Sequence, residues 1–250
     1  VLLQPGPNPD LNPIKNKMMR KNLLLISAVA LMAAPGLLAQ ILPTSTMMSL
    51  EGYITSSGKY LMQIGDDSEV LGSPYLADSF KTGYLHVDGD WYKGADLRYD
   101  AFNAVFEVKL SDGIFMISPE SLGADSIIYN EELFVLKDVL PGDMMRLQYV
   151  AVLFSGEKYE LIKKYRIRLN NAVPTDGYSE AKPAEYRTNP PEYMVIKNHV
   201  PADVRGARSL ADIFSVERKH IRRFLKKNNY NLNEEKDLVE VVRHFASQDI

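Results

Sequence analysis

The sequence contains no cysteine, which removes any disulfide framework, any thiolate metal site and any lipid attachment at a processed Cys. Histidine is scarce too. His86, His199, His220 and His244 stand far apart, with neither an H-E-x-x-H pair nor a companion Cys, so the pattern offers no metal centre. There is no excess of positive charge. The formal net charge is −3 and, once residues 1–39 with their four Lys/Arg and single Asp are set aside, 25 basic residues face 31 acidic ones. That balance excludes a chain built mainly to bind nucleic acid, while leaving room for locally segregated charge. Nor is there an apolar run of ~20 residues, the length a membrane-crossing helix needs. The longest, Leu23–Ala34, is cut short by Pro35-Gly36.

That run has a different meaning. Arg20 and Lys21 precede it, and Leu37-Leu38-Ala39 follows it as an imperfect small-residue cleavage site before Gln40, which is the layout of an export signal cleaved after Ala39. Residues 18–39 are therefore expected to be a signal peptide, and the Pro- and Asn-rich residues 1–17 a non-native segment ahead of a start at Met18 or Met19. The chain beyond is expected in the periplasm or secreted, without a transmembrane span in its mature form.

Residues 40–70 show no sustained period and several breakers, with room for one strand at Tyr60–Ile64. From Gly83 the pattern becomes β. Asp88-Gly89-Asp90 predicts a turn, the apolar even positions Phe102 to Leu110 a half-buried strand, and Ser111–Gly113 a second turn. Leu147 to Leu169 alternates on both sides of Ser155–Lys158 and predicts a hairpin. A Pro- and Gly-bearing loop then precedes a short strand at "YMVIKN". After residue 200 the period lengthens. Ile221, Phe224 and Leu225 share one helix face, and Leu238, Val241, Val242 and Phe245 another, on a helix expected to be capped by Asn233. The expected fold is α+β: a predominantly antiparallel meander over residues 71–200, with half-barrel and sandwich both open, followed by a C-terminal helical hairpin in 201–250 packed on it.

Four stretches carry a resemblance: "GSPYLADSFKTGYLHVDGDWYKGADLRYDAFNAVFEV", "RLQYVAVLFSGEKYELIKKYRIRL", "PEYMVIKN" and "SLADIFSVERKHIRRFLKKNNYNLNEEKDLVEVVRHF". In order and spacing they resemble a family of signal-peptide-bearing exported proteins common in Bacteroidetes, over roughly Gly72 to Phe245. The resemblance implies a β-rich exported domain and no particular chemistry. Where that family has Tyr-Asn, this chain has Tyr99-Asp100, and Asp takes a bend nearly as well as Asn.

Chemical motifs are incomplete. Ser56-Ser57-Gly58-Lys59 and Lys81-Thr82-Gly83 imitate the S-x-x-K and K-T-G of serine β-lactamases, but lie too close together and lack S-D-N. "GYITSSGK" has one residue too many for a phosphate loop and Tyr60 after its lysine. Carboxylates at Asp66-Asp67, Asp88/Asp90 and Glu234-Glu235 leave a carboxylate-based hydrolase as an alternative, one that needs two facing acids. No cofactor is expected, and no catalytic residue is assigned.

"GDWYKGADLRYDAF" holds the only tryptophan. The parity of apolar positions flips across Tyr99-Asp100-Ala101, as a β-bulge or tight bend would make it do. Tyr99 is expected as a buried corner residue whose hydroxyl bonds backbone, and Asp100 as the residue that takes the bend. Trp91 and Tyr92 remain candidate ligand contacts. A second candidate is cationic. From Arg205 to Lys227 there are eight Lys/Arg against two acidic residues, and Lys219, Arg222, Arg223 and Lys226 centre on one helix face. Such a face attracts polyanions over about a Debye length. The leading expectation is a non-catalytic binding module of the cell envelope with a protein, glycan or lipid partner; polyanion or anionic-lipid binding through this face is a further alternative.

Overall fold

The computed structural model describes Leu50 and residues 53–54, 62–63, 70–118, 122–139, 147–175 and 180–248, all in one compact unit. The expected upstream segment 1–17, the signal peptide 18–39, Ala39 and the motif Ser56–Lys59 lie outside the described residues. No described helix is long and apolar enough to cross a membrane.

Among the described residues eleven antiparallel strands form one open sheet: β1 (Met62–Gln63), β2 (Lys81–Val87), β3 (Asp90–Asp100), β4 (Val105–Leu110), β5 (Gly113–Ile117), β6 (Ala124–Tyr129), β7 (Glu132–Asp138), β8 (Leu147–Ser155), β9 (Tyr159–Asn170), β10 (Glu185–Lys197) and β11 (Val200–Asp203). Their order, β1-β5-β4-β3-β2-β6-β7-β8-β9-β10-β11, is two meanders joined where β6 pairs with β2. Three helices close the chain, α1 (Ala207–Phe214), α2 (Arg218–Asn228) and α3 (Glu235–Ala246). The expected α+β class and antiparallel meander are found, and the sheet does not close into a barrel.

It does curl. β4 and β8 are five places apart in the sheet, which would separate them by roughly 24 Å if the sheet were flat, since neighbouring strands lie ~4.8 Å apart. Yet the Phe106 and Tyr149 rings sit 5.5 Å apart and the Tyr149 N–H donates to the Ala104 carbonyl at 3.1 Å. The concave face is filled by alternate residues of β2 to β9, among them Leu85, Leu97, Tyr99, Phe106, Phe134 and Tyr149, all fully buried.

Turn chemistry sets the registers. Asp88-Gly89 takes positive φ at both positions, the two-residue hairpin geometry that Asp-Gly favours. Asn130-Glu131 and Asn198-His199 adopt the same geometry without a glycine. β10 begins well before "YMVIKN" and passes through Pro190-Pro191, where its pairing with β9 shifts register. On its other side β10 meets Leu71 at Glu185 and β11 at Met194–Lys197, and among the described residues nothing pairs with the prolines between, where missing N–H groups cost little.

The predicted hairpin is β8–β9, but it is covered on both faces. Val150 and Ile162, which fall between the alternating apolar positions, are fully buried with Met194 and Ile196 packed beside them. On the other face Tyr159, Leu161 and Val195 receive the helices through Leu210, Phe214, Ile221, Val241 and Phe245. The helical part holds three helices where two were expected. Asn233 is not the cap of α3. Glu234 occupies that position, and Asp237 reaches back to accept from the Asn231 N–H at 2.8 Å.

Between the concave core and the helices lies one charged residue on an inward position of β9. Lys163 is 5% exposed, and its ammonium bonds Glu132 of β7 and Glu235 of α3, the latter at 3.0 Å. The Tyr165 hydroxyl donates to Glu132 at 2.6 Å and the Tyr193 hydroxyl to Glu235 at 3.0 Å. Burial alone would lower the Lys163 value, but its bonds to Glu132, Tyr165 and Glu235 outweigh burial and hold it above the usual lysine range. Burial, then Glu132, raises Tyr165; burial, then Glu235, pushes Tyr193 up to about 12.

All three groups hold their protons more tightly folded than free. Their contribution is therefore whole below the free values of 10.0 for Tyr and 10.5 for Lys, and is lost as pH climbs past them toward the folded values. Denaturant unfolding is expected to give level stability from these groups between pH 7 and 9 and a steep fall above about pH 10. Lys163→Met should cost about 3 kcal/mol at pH 7, the low end for a broken buried pair because the Glu235 side chain is 37% exposed, and should flatten the alkaline fall.

Candidate functional site

The residues singled out in "GDWYKGADLRYDAF" separate into two groups. Tyr99 and Asp100 end β3, and the chain returns into β4 through the four residues Ala101–Ala104, pairing Tyr99 with Phe106 and Asp100 with Val105. The parity flip is thus a hairpin turn, with no bulge. Phe102 lies in that turn, 40% exposed, rather than in the strand. Tyr99 is fully buried and its hydroxyl donates to the Tyr149 carbonyl at 2.7 Å. The Tyr149 residue lies beyond Ala151, where β8 ceases to pair with β9, so the corner takes up backbone groups that the ladder leaves over. Burial raises the Tyr99 pKa far above the phenol range, which keeps its hydroxyl a donor.

Asp100 turns the chain. One carboxylate oxygen accepts from the Phe102 and Asn103 N–H groups, both at 2.9 Å, and the other accepts from the Asn103 side-chain amide at 2.7 Å. Residues 71–80 cross over this corner. The Ala101 N–H donates to the Pro74 carbonyl at 2.9 Å, and Arg98 lies between the Tyr75 ring at 3.6 Å and the Phe80 ring at 4.5 Å while binding buried Glu107 through two nitrogens. Arg98, Asp100 and Glu107 thus all bond to groups within the protein, as the parts of a structural corner do.

Trp91 and Tyr92 lie on opposite faces of β3. Tyr92 is buried with its ring 4.7 Å from Tyr53, which makes it part of the core. Trp91 is half-buried, 5.0 Å from the His86 ring, and His86 meets Asp125 at 2.6 Å. The structure does not bring the two aromatic residues to one surface.

Of the carboxylates singled out, Asp66-Asp67 lies outside the described residues. Glu132 and Glu235 converge, but on the Lys163 ammonium. Among the described residues no group of three or more His, Cys, Asp or Glu is placed to hold a metal ion.

The cationic residues are brought together. Arg218, Lys219, Arg222, Arg223, Lys226 and Lys227 are all exposed on α2, whose Ile221 is buried in the cluster that joins the helices to the sheet. Lys219 pairs with Glu217 at 2.6 Å; Arg222, Arg223, Lys226 and Lys227 have no acidic partner among the described residues. The spacing places like charges at i and i+4 four times over: 218/222, 219/223, 222/226 and 223/227. Each such pair destabilises a helix by about 0.2–0.5 kcal/mol, and Arg218 and Lys219 also oppose the positive end of the helix dipole.

Sequence reasoning missed what lies beside this face. A cleft of about 240 Å³ runs between α2 and α3, rimmed by His220, Arg223, Lys227, His244 and Gln248. The His244 ring stacks on Phe224 at 3.9 Å, with its Nε2 3.0 Å from Gln248. Positions 220, 223 and 227 share a side of one helix, while 244 lies on the other and 248 just past its end; only the packing of the two shows that they face.

No protein-family model, no curated protein and no solved structure matches this chain.

For the corner, Tyr99→Phe should cost about 1–3 kcal/mol in denaturant unfolding, the penalty for leaving a buried carbonyl unpaired. Asp100→Asn, which keeps one oxygen for the two backbone donors, should cost less than about 1 kcal/mol, whereas Asp100→Ala should cost about 1–2 kcal/mol. Equal losses for Asn and Ala would show that the acceptor plays no part.

Proposed function

We propose that the chain is an exported, non-catalytic binding module that engages a polyanionic surface of the cell envelope through α2. The observation that carries this reading is the exposed set of Arg222, Arg223, Lys226 and Lys227, which has no acidic partner among the described residues of a protein with an acidic balance. A solvated face chosen only for solubility would intersperse both signs and gain from i,i+4 pairs. This helix instead concentrates one sign at a cost to itself, a departure from local consistency of the kind found at functional sites.

The rest of the molecule supports the reading as a platform. Ile221, Leu238, Val241, Val242 and Phe245 fix α2 and α3 to each other and to β8–β10, so the cationic side chains project from a rigid base. The layout of Met18–Gln40 supports export to the periplasm or beyond, in line with the resemblance to exported Bacteroidetes proteins. Anionic lipid headgroups supply charge at the density such a face suits, with each Lys or Arg near the surface worth about 1 kcal/mol.

Reversing four charges, Lys219→Glu, Arg222→Glu, Arg223→Glu and Lys226→Glu together, should weaken co-sedimentation with phosphatidylglycerol vesicles at least ~100-fold. Wild-type binding should also fall steeply between roughly 0.05 and 0.5 M salt. Unchanged binding by the quadruple variant would remove α2 as the contact surface.

A further inference from the structure

We infer that the cleft between α2 and α3 is a selective site for a terminal phosphomonoester. The inference rests on the cationic reading of α2 and deepens it, from a charged surface to a site with a defined ligand group. Arg223 and Lys227 provide two fixed positive charges on one side, and His220 stands on the same side of α2 one turn before Arg223. Across the cleft stand His244 of α3 and Gln248 just past the end of that helix, their Nε2 atoms 3.0 Å apart, which leaves the second amide hydrogen of Gln248 to face the cleft. Phe224 closes the floor, and its face-to-face stacking at 3.9 Å holds the His244 ring in one plane.

This donor set fits a particular anion. A phosphomonoester carries about −1.5 to −2 charge near neutral pH and three terminal oxygens that accept hydrogen bonds. A phosphodiester offers one charge and two free oxygens. Two cations with further donors on opposite walls match the former, because the third oxygen and the second charge each find a partner. A planar guanidinium at Arg223 can take two of those oxygens in parallel, which a single ammonium cannot do.

The dimensions agree. At about 240 Å³ the cleft is below the ~300–1,000 Å³ usual for drug-sized ligands, so it accommodates a phosphoryl group and a few attached atoms. Its place beside the exposed face of α2 lets the same helix meet a charged surface and seat one group from it. The phosphate can belong to a lipid headgroup or to a soluble molecule, and the chemistry at the cleft is the same for both.

Three proteins and two kinds of probe separate the possibilities. The full chain, a cleft variant (His220→Ala with Lys227→Ala) and a face variant (Lys219→Ala, Arg222→Ala and Lys226→Ala) are titrated with glycerol 3-phosphate by calorimetry. Each is also titrated with phosphatidic acid and phosphatidylglycerol vesicles matched for surface potential, with thermal melts to check folding. The expected result is saturable one-to-one binding of glycerol 3-phosphate, weakened at least tenfold in the cleft variant and less than threefold in the face variant. Preference for phosphatidic acid over phosphatidylglycerol, lost in the cleft variant, assigns the group to a lipid; no preference with glycerol 3-phosphate binding intact assigns it to a soluble phosphomonoester. Absent glycerol 3-phosphate binding, or equal binding by wild type and cleft variant, overturns the inference. Either can occur while vesicles still bind through α2, so failure of the cleft is distinguishable from failure of the cationic face.

Discussion

The meeting of Tyr99, Phe106, Phe134 and Tyr149 on the concave side of the sheet is the contact on which the remaining architecture depends. Phe106 lies within 5.5 Å of Tyr99, Phe134 and Tyr149, rings drawn from β3, β7 and β8. A wide antiparallel sheet has two large faces, and a chain of this length cannot cover both with separate layers. Curling lets one half of the sheet cover the other. Aromatic side chains suit that task because each buries ~150–250 Å² and their tilted and edge-on contacts add about 0.5–1.5 kcal/mol beyond area. The corner at Tyr99-Asp100 then fixes where the curl happens, since its hydroxyl and the neighbouring Ala104 carbonyl replace the strand partner that Tyr149 has lost.

Curling has a second consequence, at the outer end of the second meander. β8, β9 and β10 extend past the concave core, and there the same face that carries Tyr149, Tyr165 and Ile167 continues as Tyr159, Leu161 and Val195 under the helices. Lys163 stands at the boundary. Its two carboxylate partners come from β7 on one side and α3 on the other, so one ammonium ties the helical part to the first core. An apolar residue there could be packed, but it would not select one position of α3. The ion pair adds orientation, and the orientation of α3 against α2 determines whether the cleft walls face.

How much of this was legible in the sequence follows from how local each determinant is. Asp88-Gly89, Ser111–Gly113 and Ser155–Lys158 announce turns because their residues favour the required backbone directly, and the strands on either side alternate visibly. Asn130-Glu131 and Asn198-His199 do not, since Glu131 and His199 take a left-handed conformation that only the surrounding strands can enforce. The start of β10 was hidden by Pro190-Pro191, which argue against a strand unless its edge is known to be free. Lys163 did leave a trace. It is the charged residue in an otherwise apolar inward series, Tyr159, Leu161, Tyr165, Ile167, and such an interruption marks a buried polar network. The cleft left almost none, because its two walls lie on separate helices and neither spacing carries chemistry alone.

The cationic helix sets a tension between stability and contact. α2 has no acidic residue among its eleven, so nothing within it offsets the repulsion along 218/222, 219/223, 222/226 and 223/227. Together these pairs cost roughly 1–2 kcal/mol, a large part of the margin of an ordinary domain, which is ~5–15 kcal/mol. The cost is met by burial at Ile221 and by the contacts of Phe224 with Tyr230, His244 and Phe245, which would hold the helix whatever its outer face carried. An anion seated against that face removes the repulsion it suffers in isolation. The same charges therefore set both the stability of the helix and its attraction for anions, and whatever neutralises them stabilises the fold.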